Sequence, residues 1–383
     1  MKIVFASHTN INDSLVVGSH HLARNLAALG HEVLHLSSPL TALHTWKLRN
    51  TRYQERWQTW KAGGLQIENS LTDYVPFSIF PWQFARLFEV GPGNLFLKCL
   101  PSLESIFRRF DFEEVDLLLV DEPRMAGIER FCRAKKLIYR STDLNAEFKK
   151  DPSILKAERW LIEQACGLIG TSEPVLKSLR SVAPNKPFIL MENGADLAFF
   201  SALQEIPSEF QEIPEPRAIY VGAVDERFDF TSIDVLGRER PDLSIVIVGP
   251  VTVPNLVSGD NIYFLGSKPY ATIPAYLQHS QIGLLPLNAH PANRGRSPMK
   301  LYEYAAAGLP VVATNSEEIA RRQDSFVYAF EGSGEIAAAV QKALTEKGNA
   351  VNPADAAREH DWRRKAKTLL EFTSTTSCAN GNS

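Results

Sequence analysis

At 383 residues the chain is long enough for two domains of ordinary size, each with its own core. A hydrophobic content of 44% with 22% charged residues is that of a globular protein, and a net charge of −3 excludes a general nucleic-acid binder with its broad basic footprint. Cys99, Cys132, Cys166 and Cys378 are scattered without CxxC or metal-like spacing, which supports neither a disulfide framework nor a zinc site and favours a reducing, cytoplasmic setting.

The opening MKIVFASHTN predicts a first strand over Lys2–Ala6, too brief and too soon polar for a signal peptide. A helix over His20–Leu29 stops at Gly30, and a strand over Glu32–Leu36 follows. In the next segment, WKLRNTRYQERWQTWK, the residues Trp46, Tyr53, Trp57 and Trp60 fall on one helical stripe. Lys47, Arg49, Arg52, Arg56 and Lys61 flank it. Two readings stay open: an interfacial helix on an anionic membrane leaflet, or a face packed into the first domain. The Pro-broken stretch Phe77–Phe88 extends either one, and no apolar run approaches the roughly 20 residues that span a bilayer.

Strands over Val115–Val120, Lys136–Arg140 and Gly167–Gly170 alternate with helical patterns, which implies βαβ units around a parallel sheet. Phe188–Met191 leads into the turn-rich Glu192-Asn193-Gly194-Ala195-Asp196. Residues 201–216, rich in Pro and Glu without a period, read as a linker. The alternation then restarts with Ala218–Val221, Leu243–Val248, Asn261–Leu265, Ile282–Pro286 and Val311–Ala313, the first three ending at Gly222, Gly249 and Gly266. The expected division is a first domain over 1–200, a linker over 201–216, a second domain over 217–355, a terminal amphipathic helix over 356–373 and a disordered tail over 374–383. Ligands of such sheets bind beyond the carboxyl ends of the strands.

One span carries a charge anomaly. RGRSPMKLYEYAAAGLPVVAT, from Arg294 to Thr314, reads as loop, helix, stop and strand, with Ser297 as cap, Pro298 in the first turn and Gly308 as the left-handed stop. A helix N-terminus favours acids, yet this one gathers Arg294, Arg296 and Lys300 with no acid before Glu303. Cations on a positive dipole fit an anion such as a phosphate held among them; a solvated basic loop is the competing reading.

On these residues the chain resembles the GT-B glycosyltransferases. The likeness rests on PMKLYEYAAAGLPVVAT, on ENGADLAFF, on YVGAVDERFD, on YFLGSKPYATIPAYL and on a terminal HDWRRKA helix, five motifs in the family's order over nearly the whole chain. It is similar above all to bacterial enzymes of polysaccharide and teichuronic-acid assembly, including the xanthan-type glucuronosyltransferase. The resemblance implies an α/β protein with two Rossmann-like domains facing a central cleft and a C-terminal helix crossing back to the first. It also implies a nucleotide-sugar donor, a UDP- or GDP-sugar, held mainly by the second domain, and a glycan or lipid-linked acceptor. Many retaining members carry two acids separated by seven intervening residues. Glu303 matches the second, but Gly295 stands at the first, which tilts the expectation toward inversion.

Sugar transfer needs charge offset on the leaving diphosphate, a grip on the nucleoside and a base for the acceptor hydroxyl. Lys300 and the backbone after Ser297 suit the first task, with Arg294 and Arg296 as helpers. The family's ribose contact falls on Glu303, one turn beyond Lys300, where an ordinary ion pair is the competing role. Tyr302 is a donor contact or a packing residue. Gly222 lets backbone approach the diphosphate, with Arg227 beside Asp225 and Glu226 as a phosphate contact or a local ion pair. For the base we favour Asp143, after the strand KLIYRST, against a helix N-cap role. His8, Asp121 and Glu122 are alternatives, and His20 and His21 are cleft candidates. No pattern requires a metal, and the nucleotide sugar is a co-substrate rather than a cofactor. A nucleotide-sugar epimerase or hydrolase and a non-catalytic carbohydrate-binding assembly protein are the rival functions. A nicotinamide oxidoreductase is disfavoured because no GxGxxG follows the first strand of either half. The expected location is cytoplasmic and peripheral on the inner face of the membrane through Trp46–Lys61.

Overall fold

Unbroken buried runs such as Ile3-Val4-Phe5-Ala6 and Ile245-Val246-Ile247-Val248 belong to strands covered on both faces, as in parallel sheets flanked by helices. The structure, a computed structural model, describes residues 1–13, 16–47, 50–85, 93–145, 151–254, 257–346 and 352–378. The chain divides into two compact units, Met1–Met191 with Lys365–Ser383, and Glu192–Arg364.

The first unit contains β1 (Lys2–Ser7), β2 (Glu32–Ser37), β3 (Leu40–Thr41), β4 (Leu65–Glu68), β5 (Leu71–Tyr74), β6 (Phe77–Ser78), β7 (Glu114–Val120), β8 (Arg133–Ser141), β9 (Gly167–Gly170) and β10 (Phe188–Leu190). Eight of them form one sheet in the order β10-β9-β8-β7-β1-β2-β5-β4, and β3 pairs with β6. Every neighbour pair in the large sheet is parallel except β4 with β5, so the carboxyl ends of β1, β2, β7 and β8 lie along one edge. The helix Gly18–Ala28 returns the chain from β1 to β2, and Gly30, at φ +87°, ends that passage as its sequence position implies.

The second unit contains β11 (Arg217–Val221), β12 (Ser244–Val248), β13 (Ile262–Gly266), β14 (Ile282–Leu285), β15 (Val311–Thr314) and β16 (Val327–Phe330), in a parallel sheet ordered β13-β12-β11-β14-β15-β16. The chain steps outward from β11 through β12 to β13, then returns to the other side of β11 at β14. The reversal leaves a crevice outside the carboxyl ends of β11 and β14, where doubly wound sheets bind ligands.

Several expectations change. The run 201–216 is no free linker, because Phe210 and Ile213 are buried in the second unit's core. Arg217 fixes it there, donating to the carbonyls of Phe210 and Ile213 and stacking on the Phe210 ring. Pro and Glu dominate the composition of that run, but two apolar anchors suffice to dock it. The unit boundary falls at Glu192 instead.

The terminal helix Trp362–Thr375 runs beyond the expected end, and its portion from Lys365 counts with the first unit, where Phe372 lies against Gly167. Nor is the stretch after 374 structureless as far as it is described. Thr376 is buried and Cys378 forms a disulfide with Cys166, 212 residues earlier, contrary to the reading of four unpaired cysteines. No local spacing can signal a pairing across that separation. The remainder of the tail, 379–383, lies outside the described residues. Among the described residues no helix is long and apolar enough to cross a membrane.

Candidate functional site

In the second unit the loops after β11 and β14 are tied together. Asp229 N–H donates to the Pro286 carbonyl at 2.9 Å, Asn288 Nδ2 to the Glu226 carbonyl at 2.7 Å, and Asn293 Nδ2 to the Arg227 carbonyl at 3.0 Å. Gly249, following β12, sits at φ +149° so close to the first loop that a Cβ there would lie 1.8 Å from the Gly222 carbonyl oxygen. The backbone at the crevice is therefore held from both sides, and only glycine fits at 249.

The helix Met299–Ala306 rises from this loop. Its capping position is Pro298 rather than Ser297, with no side-chain cap. Ser297 does a different job: its hydroxyl accepts from Asn193 N–H at 3.1 Å and pairs with the Tyr302 hydroxyl at 3.0 Å, while Asn193 Nδ2 donates to the Ser297 carbonyl at 2.7 Å. The motif ENGAD thus anchors the start of the helix, a role its turn-like composition did not reveal. Gly308 is left-handed at φ +81° just past the helix, as expected.

Lys300 Nζ and Glu303 Oε2 are 2.7 Å apart, and the other carboxylate oxygen accepts from the Tyr270 hydroxyl at 3.3 Å. Glu303 is 1% exposed, whereas the Lys300 side chain is 29% exposed. The pair thus presents a cation outward over a buried carboxylate. Tyr270 lies flat on Phe199, and burial raises its hydroxyl pKa, with Glu303 adding to the shift, so the phenol stays a donor. A single sequence offers no signal for this third partner.

Tyr302 is buried, its ring tilted against His360 with centroids 4.6 Å apart, and it accepts from Arg322 at 3.1 Å, which fits the packing role. Arg227 is engaged by Asp225, Nε donating to Oδ1 at 2.9 Å, so the local ion pair is formed. Arg294 is exposed and Arg296 half-buried, the latter near enough to Asp225 to help hold that carboxyl ionised.

In the first unit Asp143 lies two residues past β8, half-buried. Its carboxylate accepts from the Thr142 hydroxyl at 3.2 Å, and among the described residues it caps no backbone N–H; residues 146–150 lie outside them. The alternatives fare differently. Glu122 is buried and gripped by Arg124 through Nε at 2.8 Å and Nη2 at 3.0 Å. Asp121 is buried 3.5 Å from Arg140; burial pushes its carboxyl up and Arg140 pulls it back. His8 is accessible, its side chain 57% exposed, with Nδ1 3.2 Å from Glu122. His20 and His21 are buried, and burial holds His20 neutral beside Thr9.

The aromatic stripe divides. Trp46 belongs to a separate 3-10 turn, Ala42–Lys47, and is 89% exposed, whereas Trp57 and Trp60 sit on the helix Thr51–Lys61 and pack against Phe77. Arg49 and residues 86–88 of the neighbouring apolar stretch lie outside the described residues.

Comparison with known proteins bears on both units. Residues 215–346 match the family described as Glycosyl transferases group 1. The chain is 27% identical over 250 residues to TuaH of Bacillus subtilis (strain 168), named as a teichuronic acid biosynthesis glycosyltransferase; the match takes in 61% of this chain and 62% of that protein's length. Among solved structures it is similar to a sucrose-phosphate synthase of Thermosynechococcus elongatus, with a TM-score of 0.70 at 15% identity, covering 98% of each chain. It is also similar to HepE of Anabaena, solved in complex with UDP, with a TM-score of 0.65 at 14% identity over 98% of this chain and all (100%) of that one. The chain therefore has the GT-B fold, and residues 215–346, within its second unit, are similar to the group 1 glycosyl transferases.

Proposed function

We propose that the protein transfers a sugar from a nucleoside-diphosphate sugar, a UDP-sugar in the first instance, to a glycan or lipid-linked acceptor in polysaccharide assembly. The observation that carries this reading is the Lys300–Glu303 pair at the carboxyl edge of the second sheet, inside the matched domain. Lys300, with Arg294 and Arg296 on the same loop-helix junction, offsets the charge that grows on the departing diphosphate. Glu303 accepts from the ribose hydroxyls, since a carboxylate has lone pairs beyond those used by Lys300 and Tyr270. HepE, solved with UDP and with UDP-glucose, and TuaH, named for teichuronic acid biosynthesis, support the donor and the setting.

Asp143 is the proposed base. Its carboxylate takes the proton of the acceptor hydroxyl as that oxygen bonds to the anomeric carbon, and the bond from that carbon to the diphosphate oxygen breaks with its electron pair leaving on the nucleotide. One-step displacement inverts the anomeric centre. The absence of any acid from Asn288 to Pro298, with Gly295 where retaining relatives carry one, supports inversion.

The exposed Trp46, with Leu43, Ile79 and Leu100 also exposed and Lys47 and Lys61 nearby, supports peripheral docking on an anionic leaflet where a lipid-linked acceptor resides.

The test is nucleotide release from UDP-glucose, UDP-glucuronate and GDP-mannose, each with and without lipid-linked saccharide extracts. Release that depends on the extract, with proton NMR giving the opposite anomer in the product, is the expected result. Release at the same rate without acceptor supports an epimerase or hydrolase instead.

A further inference from the structure

At the carboxyl edge of the first unit's sheet, a buried arginine forms no ion pair with any carboxylate among the described residues. Arg56, on the inner side of the helix Thr51–Lys61, is 7% exposed and donates through Nη2 to the Ser38 carbonyl, just past β2. Its Nε has no hydrogen-bond partner. Asp13, which acts on Arg56 only through space, pairs with Arg52, and Glu122 pairs with Arg124. Among the described residues no ion pair reaches Arg56. A buried cation with no direct ion pair is costly to keep, and an anionic ligand would offset that cost.

The surroundings are built to the same purpose. Burial first, then the neighbouring Arg52 and to a lesser degree Arg124, push the Arg56 guanidinium down to about 10. Burial first, and then Arg56, Lys47 and Arg124, lower His44 to about 4. At this edge Asn10, 0% exposed, has neither its amide nitrogen nor its oxygen hydrogen-bonded, and the hydroxyls of Ser37 and Ser38 are likewise buried without partners. Buried polar side chains in native proteins are almost always satisfied. These groups lie at or just past the carboxyl ends of β1 and β2, the edge where Arg56 holds the Ser38 carbonyl, and donors beside a cation suit an oxyanion bearing hydroxyl neighbours.

We propose that Arg56, with Arg124 at the rim and the Asn10, Ser37 and Ser38 side chains, forms an oxyanion subsite that takes a phosphate or carboxylate group of the acceptor. The assignment to the acceptor rests on the reading of the chain as a transferase, whose donor grip lies in the other unit. It narrows the acceptor class to saccharides carrying a negative group, either a uronate or the phosphate of a lipid carrier.

The experiment uses the full chain in a Lys300→Ala background, which removes the proposed donor grip, with calorimetric titration of inorganic phosphate, glucuronate and glucose. Phosphate or glucuronate binds saturably and glucose does not. Arg56→Met weakens that binding at least tenfold, and Arg56→Lys restores most of it. Phosphate binding alone names a phosphoryl group, and glucuronate alone a uronate. Equal binding before and after Arg56→Met overturns the subsite, as do an equal loss in Arg56→Met and Arg56→Lys and the absence of binding by either anion. UDP titrated into the Arg56→Met chain with Lys300 intact binds as it does to the wild type. Failure of UDP to bind even the wild type strikes the transferase reading and leaves the subsite test standing.

Discussion

The two parallel sheets end in edges that are furnished in opposite ways. At the edge of the second, charges meet partners within the fold: Lys300 on Glu303, Glu303 on Tyr270, Arg227 on Asp225, with Asn288 and Asn293 stitching the loops. At the edge of the first, Arg56, Asn10, Ser37 and Ser38 are buried with groups left unmatched. A preorganised edge of the first kind holds its geometry without a ligand and needs only to exchange one outward cation onto an incoming anion. An edge of the second kind gains most of its satisfaction from the ligand. On the proposed reading, the two sheets divide the labour between a constant donor and a particular acceptor.

That comparison breaks most decisively at Asp143. Asp143→Asn is expected to lower turnover by about 10²–10⁴-fold while UDP affinity stays within a factor of about two, because a base acts on the acceptor and not on the nucleotide. Initial rates and a UDP titration on the same preparation check it. Substantial residual turnover would return Asp143 to a structural role.

Next in size is Gly249. Gly249→Ala forces a Cβ against the Gly222 carbonyl in a backbone conformation that side chains avoid, and a cost of about 1–3 kcal/mol is expected from the backbone alone. Urea unfolding followed by domain-resolved probes reads the loss in the second unit and none in the first. A smaller effect is expected at Tyr270, where Tyr270→Phe removes one hydrogen bond to Glu303 and weakens UDP binding by about 0.5–1.5 kcal/mol. Smallest in solution is Trp46→Ala, which leaves the unfolding midpoint unchanged because the side chain is almost fully exposed, yet reduces flotation with anionic vesicles.

Much of the second unit was legible in the chain because its signals are local. Gly308 past a helix, glycines closing β11 to β13 and a cationic helix start are all read within a few residues. The partners of those residues were not legible, since Asn193 reaches Ser297 and Tyr270 reaches Glu303 across long sequence separations. Tyr302 shows the same limit: two residues from Lys300 on a helix is a different face, and its burial there is read only from the fold. In the first unit the periodicity of Trp46–Lys61 suggested one continuous stripe, but the break into a 3-10 turn and a separate helix rotates Trp46 away from Trp57. Arg56 read as a flanking cation on that stripe. Only the fold reveals that it points inward.

The account turns on Lys300 as the outward cation of the donor grip, and calorimetric titration of UDP into the wild type and Lys300→Ala tests it most directly. We predict saturable one-to-one binding to the wild type and at least tenfold weaker binding to Lys300→Ala. Equal affinity in the two proteins would contradict the account.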